Sequence, residues 1–299
     1  MIERNIIGVD WGSSNLRAFR YDESGAVLET RRSAEGVKAV QDAHFERILM
    51  RVTEGWLAAN SRIVMSGMIG GREGWVETPY LPCPASLKDV AAGAVRAPSE
   101  VDIWIAPGLS ARRDSATPDI MRSEEVQLLS SPGNAPSRAI TPGTHSKWAL
   151  CAEDRIHDFR SYVTGELFGA LRHHTLIGRP MRGDAFVSEA FERGAAHALA
   201  DSALLNLLFT PRTSALLARI EPEALSAYLS GLLIGAEVRE GLHQNPVDAG
   251  VRTLVIGQPD LLRRYQIALA LAHVGDVDVL DGEVASARGL WRLAQELPP

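Results

Sequence analysis

Apolar residues crowd into short runs at the start of the chain, at 6–10, 16–21 and 26–31, and small or polar residues close each run. Runs of that length bounded by Gly, Ser, Asn and Asp predict strands. Gly12-Ser13-Ser14-Asn15 turns the first run into the second, and Asp22-Glu23-Ser24-Gly25 turns the second into the third. Gly25 suits the positive φ of such a turn. From about Ala43 to Asn60 the period lengthens, with Phe45, Ile48, Leu49, Val52, Trp56 and Leu57 at helical spacing. A short apolar run at 62–65 predicts another strand, so the chain opens β-β-β-α-β.

The stretch 66–86 breaks this rhythm. It mixes Gly and Pro with Trp75, Tyr80 and several charges, which predicts a long ordered loop. A helix over 87–95 and a strand over 101–106 follow, then a helix capped by Ser123. Pro132, Gly133 and Pro136 mark a linker over 130–137. The opening pattern then restarts. A strand reaches a Gly/Thr/Ser turn at 143–146, strands follow at 147–152 and 155–163, and a helix runs from Thr164 to about His173. Repetition of pattern with little identity of residues predicts two domains of one design, 1–135 and 136–299. Helices are expected at 183–200, 202–217 (interrupted near Pro211), 221–241, 260–273 and 285–296, with strands at 251–256 and 277–280. Small residues at 226, 230, 231, 235 and 236 leave room for a neighbouring backbone or a ligand.

Composition narrows the partners. A chain of 299 residues suits two domains, and 45% apolar with 23% charged residues is a globular balance. The formal charge of -6, without a basic block, excludes the electrostatics of nucleic-acid binding. A small anionic substrate stays possible, because a local Arg or Lys cluster can bind it. Cys83 and Cys151 stand far apart, outside any zinc or disulfide pattern. The N-terminus enters the first strand without an apolar leader, and the longest strongly apolar stretch, Tyr228 to Val238, contains Glu237 and is too short for a bilayer. The expectation is a cytoplasmic enzyme with no membrane or nucleic-acid partner; oligomeric state is not legible.

Asp10 sits at the mouth of the first turn, where a carboxylate can hold a hydrated Mg²⁺ and unpaired turn amides can face an anion. An ordinary hairpin whose Asp and Ser residues cap their own backbone explains the same residues. Glu124 and Glu125 likewise suit the positive end of a helix, whatever else they do.

Two β-β-β-α units, each opening on a polar hairpin, resemble the superfamily of actin, the heat-shock chaperone ATPases and the sugar kinases. A finer resemblance is to the 2-dehydro-3-deoxygalactonokinases. It is carried by Val9-Asp10-Trp11-Gly12-Ser13-Ser14, Ser66-Gly67-Met68-Ile69-Gly70, Gly74-Trp75-Val76-Glu77, Pro79-Tyr80-Leu81-Pro82-Cys83-Pro84 and Arg122-Ser123-Glu124-Glu125. Pro142-Gly143-Thr144-His145-Ser146-Lys147-Trp148, Thr164-Gly165-Glu166-Leu167-Phe168 and the block from Tyr228 to Glu237 continue it in order. Two departures stand out: Pro142 precedes Gly143 where an acid is often found, and Ser123 stands where Gly is common. Ser is small and a good cap, so little harm is expected from the second.

The resemblance implies an α/β fold of two RNase H-like, actin-like ATPase domains facing each other across a nucleotide and substrate cleft. It implies ATP- and Mg²⁺-dependent phosphorylation of 2-dehydro-3-deoxy-D-galactonate at its 6-hydroxyl, a step of galactonate catabolism. Gly12, Ser13, Ser14, Asn15 and Arg17 would hold phosphate with Gly143, Thr144, His145, Ser146 and Lys147, and Asp10 would hold Mg²⁺ through water. Lys147 reaches a phosphate or stays solvated on its strand; His145 is a structural or phosphate ligand. Glu124 is the expected base and Glu125 its rival. Arg72 and Arg122 are candidates for the substrate carboxylate. Trp75 and Tyr80 would cover the sugar acid, and Glu77, Thr164 and Glu166 would meet its hydroxyls. Gly257 would lie in the adenosine segment, with the helix at 230–236 beside it and the last helix back near the hinge. A kinase for another sugar acid, such as 2-dehydro-3-deoxygluconate, is the alternative, or a non-catalytic actin-like sugar-sensing protein.

Overall fold

The structure is a computed structural model and describes residues 4–40, 42, 44–111, 117–130, 133, 135–244, 251–275 and 277–299. Residues 1–3, the expected helix start at 43, and residues 131, 132 and 134 of the expected linker lie outside the described residues. The chain divides into two compact units.

The first unit opens with β1 (Asn5–Trp11), β2 (Leu16–Tyr21) and β3 (Val27–Ser33), then α1 (Phe45–Val52) and β4 (Ser61–Ser66). It continues with β5 (Tyr80–Pro82), β6 (Ala85–Ser86), α2 (Leu87–Ala92), β7 (Val95–Arg96) and β8 (Asp102–Ile105). β9 (Gly108–Ser110), β10 (Ile120–Met121) and α3 (Glu124–Leu128) follow. One sheet runs β3-β2-β1-β4-β8-β7. β1 pairs antiparallel with β2 and parallel with β4, and β4 pairs parallel with β8. Central strands buried on both faces read as continuous apolar runs. Ile7, Val9, Ile63, Met65, Ile103 and Ile105 meet Phe45, Ile48 and Leu49 of α1 in one core. α1 ends earlier than its spacing predicts, because Gly55 takes φ +75° and turns the chain. Trp56 is still buried, reached through a turn and not a helical face.

After the first unit the chain forms β11 (Ser137–Thr141), β12 (Ser146–Ala152), β13 (Arg155–Tyr162), α4 (Thr164–His174) and α5 (Ser188–Ala200). Then come α6 (Leu204–Leu207), α7 (Thr210–Leu216), α8 (Leu225–Gln244), β14 (Arg252–Gly257), α9 (Pro259–Leu271) and β15 (Val277–Asp281). A second six-stranded sheet reads β15-β14-β11-β12-β13-β6, and its first five strands follow the same order as β8-β4-β1-β2-β3. β14 pairs parallel with both β11 and β15, as β4 does with β1 and β8. The repeat expected from the sequence is therefore one of strand order. α8 is buried nearly all round, and its small residues admit another backbone: a Cβ on Gly231 would stand 2.1 Å from the Phe191 carbonyl of α5. No described helix is long and apolar enough to cross a membrane.

Unit membership departs from a single cut in the sequence. The division falls after Pro136, but residues 151–159 and 282–299 group with the first unit. Arg155 and Ile156 pair there with Ser86 and Ala85 of β6. The last helix, α10 (Gly282–Glu296), packs on β1, β4, α2 and α3. The Tyr21 hydroxyl donates to its Ala287 carbonyl at 2.7 Å. Leu290 and Leu293 are fully buried. α10 therefore completes the first unit, although the sequence reading assigned it to the second domain.

Candidate active site

In each unit a polar turn joins the first two strands, β1 to β2 and β11 to β12, and the two turns are built alike. In the first, Trp11 and Leu16 are buried while Ser14 and Asn15 are exposed; in the second, Thr141 and Ser146 are buried while Thr144 and His145 are exposed. The carbonyls of each tip are held from behind. Val37 and Lys38 donate backbone N–H to the carbonyls of Gly12 and Ser13 at 3.0 and 3.2 Å. Glu166 donates its N–H to the Thr144 carbonyl at 3.0 Å. Glycine makes both supports possible: a Cβ on Gly36 would stand 2.3 Å from the Ser13 carbonyl, and one on Gly165 2.4 Å from that of Gly143. The amides of 13–15 and 143–145 have no backbone acceptor among the described residues. Successive unpaired amides at a turn are a concavity for an anion.

Asp10, 5% exposed, is the last residue but one of β1, beside the first turn. Arg17 donates to its Oδ2 at 2.5 Å, Ser286 of α10 donates to the same oxygen at 3.2 Å, and Ser123 donates to Oδ1 at 3.3 Å. Gln127 in turn donates to the Ser286 hydroxyl at 2.9 Å. The ring of contacts holds Asp10 in place and balances its charge. Arg17, expected to hold phosphate, instead faces the carboxylate of Asp10 in an ion pair in this structure. Ser66 lies in register with Asp10, and its buried hydroxyl has no partner among the described residues.

α3 brings the acidic pair to the same unit by an unexpected route. Ser123 is not a side-chain cap. Its φ of +97° lies in the region glycine favours, and its hydroxyl turns to Asp10 instead. The acids themselves take the cap role: Glu124 accepts the Arg122 N–H at 3.0 Å and Glu125 accepts the Ser123 N–H at 2.8 Å. Their surroundings differ. Glu125 is fully buried, and its Oε1 has no partner among the described residues. Burial, then the neighbouring charge of Glu124, pushes its carboxyl up to about 8. Glu124 is half-buried.

The long loop is ordered by Arg122. This side chain is buried and donates to the Thr78 hydroxyl, to the Thr78 carbonyl at 2.9 Å and to the Tyr80 hydroxyl at 3.4 Å. Its guanidinium lies 4.4 Å from the centre of the Tyr80 ring. Arg122 is thus a clamp on the loop, where an open fork for a substrate carboxylate was expected. β5, β9 and β10 form a small sheet from the same region, hidden in the sequence by strands of two or three residues. Arg72 is exposed, 3.5 Å from Glu77, and Trp75 packs partly on the first core. Tyr80 remains exposed beside Arg122.

In the second unit, Lys147 is buried at 4% exposure and donates to the His145 carbonyl at 3.1 Å, so the solvated alternative falls. His145 pairs with Glu166 at 2.6 Å, both exposed. That contact gives His145 a partner on α4, the helix behind the turn. Gly143, Thr164, Gly165, Phe168, Ser230, Leu261 and Tyr265 line a small cavity beside the tip. Gly257 is buried at the end of β14, but a Cβ there would meet Pro142 only at 3.5 Å. The protein's own packing does not demand glycine at 257. Sequence reasoning missed Thr78, Gln127, Ser286, Glu237 and Tyr265. Only Glu237 carried a signal, as an acid inside an apolar helical run.

The sequence profile of the 2-keto-3-deoxy-galactonokinases matches residues 10–293. The 2-dehydro-3-deoxygalactonokinase of Escherichia coli K12 is 37% identical over 293 residues, spanning 96% of this chain and 97% of that one. The crystal structure of a Sinorhizobium meliloti protein assigned to 2-dehydro-3-deoxygalactonokinase is 35% identical, with a TM-score of 0.89 over 97% of this chain and 98% of the other. Component A of the (R)-2-hydroxyglutaryl-CoA dehydratase of Acidaminococcus fermentans is only 10% identical, yet superposes with a TM-score of 0.55 over 98% of this chain and 99% of its own. That last likeness is one of fold. On the match along nearly its whole length, the chain belongs to the 2-keto-3-deoxy-galactonokinase family.

Proposed function

We propose that this protein transfers the γ-phosphoryl group of ATP to the 6-hydroxyl of 2-dehydro-3-deoxy-D-galactonate, giving the 6-phosphate and ADP. The observation that carries the reading is the pair of turns whose carbonyls are tied back and whose amides are left unpaired. Phosphoryl transfer is chiefly positioning and charge neutralisation, and such turns serve both. Gly12 to Asn15 and Gly143 to Lys147 are the phosphate-binding segments in this reading. The cavity beside the second tip, lined by Ser230 and Leu261, suits the adenosine end.

Mg²⁺ neutralises phosphate charge in such a reaction when bound, and it keeps several of its waters. Asp10, with one oxygen against Arg17 and the unpartnered Ser66 hydroxyl in register beside it, fits an outer hold through water. Glu124 is the base. It accepts the proton of the 6-hydroxyl as that oxygen bonds to the γ-phosphorus, the bond to the ADP oxygen breaks, and Glu124 later returns the proton to solvent. Glu124 is preferred to Glu125 in this reading because burial pushes the Glu125 carboxyl up and keeps it from contact. Exposed Arg72 meets the substrate carboxylate, with Trp75 and Tyr80 covering the chain of hydroxyls.

An ADP-release assay with the galacto and gluco epimers of the sugar acid tests the reading. We expect transfer to the galacto acid to exceed that to its epimer at least tenfold. Glu124→Gln should lose about 10²–10⁴-fold in turnover while still binding ATP. Equal rates on both acids would sink the narrow assignment, and no transfer to any sugar acid would favour a non-catalytic sensor.

A further inference from the structure

α8 has no polar face. From Leu225 to Val238 each residue is buried, and one of them is an acid, Glu237, at 3% exposure. A carboxyl in such a place costs several kcal/mol unless it is fully bonded. Its partners come from three other elements of the same unit. Trp148 of β12 donates its indole N–H to Oε1 at 2.8 Å, and Tyr265 of α9 donates its hydroxyl to Oε2 at 2.8 Å. The hydroxyls of Thr164 and Ser146 stand close enough to the same carboxyl to favour its charged form against the cost of burial. Ser146 also lies 3.0 Å from the Tyr265 hydroxyl, closing the ring.

These partners are not scattered. Ser146 is the last residue of the second polar turn and Trp148 lies two positions beyond it. Thr164 is the first residue of α4, the helix whose Gly165 and Glu166 press on the carbonyls of Gly143 and Thr144. Thr164 and Tyr265 also line the cavity beside the tip. One carboxyl therefore ties the strand leaving the turn, the helix supporting it and the wall next to it. Apolar packing of similar volume would give as much stability as a buried carboxyl, whose pKa burial pushes up. A polar hub at this place instead fixes geometry, because each donor has to meet its lone pair within tenths of an ångström.

We propose that Glu237 is a positioning residue for nucleotide binding: it sets the second turn and the start of α4 without touching the ligand. This inference rests on the assignment of that turn to the phosphates of ATP. Glu237→Gln keeps the volume but turns an amide N–H₂ toward a donor, so the hub loses one bond while the core stays filled. For the full chain we expect the Kd for ADP, measured by calorimetry, and the KM for ATP to rise about tenfold. The KM for the sugar acid should change less than twofold, and near-UV circular dichroism should stay native. A folded Glu237→Gln protein with wild-type ADP affinity overturns the proposal, as does an equal rise in both KM values. Tyr265→Phe, which removes a single donor, is read if Glu237→Gln does not fold. A threefold or greater rise in the ADP Kd supports the role, and no change overturns it. Absence of sugar-acid transfer by the wild type would instead defeat the proposed function, leaving the ADP comparison intact.

Discussion

Glu124 and Glu125 are neighbours with opposite surroundings, and the contrast has a measurable signature. Glu125 takes up a proton on folding, because burial raises its carboxyl from the ordinary value of 4.5 to about 8. The folded state gains most below pH 4.5, and this advantage is lost progressively as pH rises towards 8. Glu125→Gln carries a permanently neutral group, so the melting temperature of the wild type should fall relative to the variant between pH 5 and 8. Parallel profiles would mean that Glu125 is ionised in the fold. Ser123 offers a second test. Its φ of +97° is strained for any residue with a Cβ. We expect Ser123→Gly to stabilise the protein by about 1 kcal/mol, the strain relieved less the added freedom of the unfolded chain. Ser123→Ala, which keeps the strain and loses the hydroxyl on Asp10, should destabilise. Urea titration of the two variants separates these outcomes.

At the level of elements, the loop after β4 depends on Arg122 rather than on its own composition. Arg122→Met should loosen the stretch from Thr78 to Tyr80 and raise the KM for the sugar acid about tenfold, with the KM for ATP within twofold. Arg122→Lys should not rescue, since an ammonium cannot bond Thr78 twice while stacking on Tyr80. Unchanged KM values in both variants would show that the clamp is irrelevant to substrate. How far such elements are legible follows from their range. The hairpins β1–β2 and β11–β12 announce themselves by apolar runs around a polar turn, and α5, α9 and α10 by helical spacing. β5, β9 and β10 are too short to show a period, and each exists only through pairing with a distant segment. The same holds within the site: Ser286 reaches Asp10 across 276 positions, and Glu237 reaches Trp148 across 89. No local pattern encodes such contacts. The acidic pair was visible, but which acid is buried depends on packing against the rest of the unit.

For the whole molecule, strand order is the repeated quantity. Two sheets share the sequence of third, second, first, then two parallel strands, while their residues differ. The first unit gathers its last layer from the far end of the chain. A chain stopped after Asp281 lacks Leu290, Leu293 and the Ser286 hydroxyl on Asp10. It should lose the first unit's cooperative melting transition in calorimetry, and retention of that transition would show that α10 is dispensable.

The placement of α10 also bears on how the protein is made. Synthesis runs from the N-terminus, so β1 to β8 leave the ribosome while the helix that covers β1 and β4 is still untranslated. The unit that emerges first cannot close first. Its inner face waits through the making of the entire second unit, exposed to whatever else is nascent nearby. Unlike two beads folded in turn, the first unit comes to maturity only after residues 282–299 have been made.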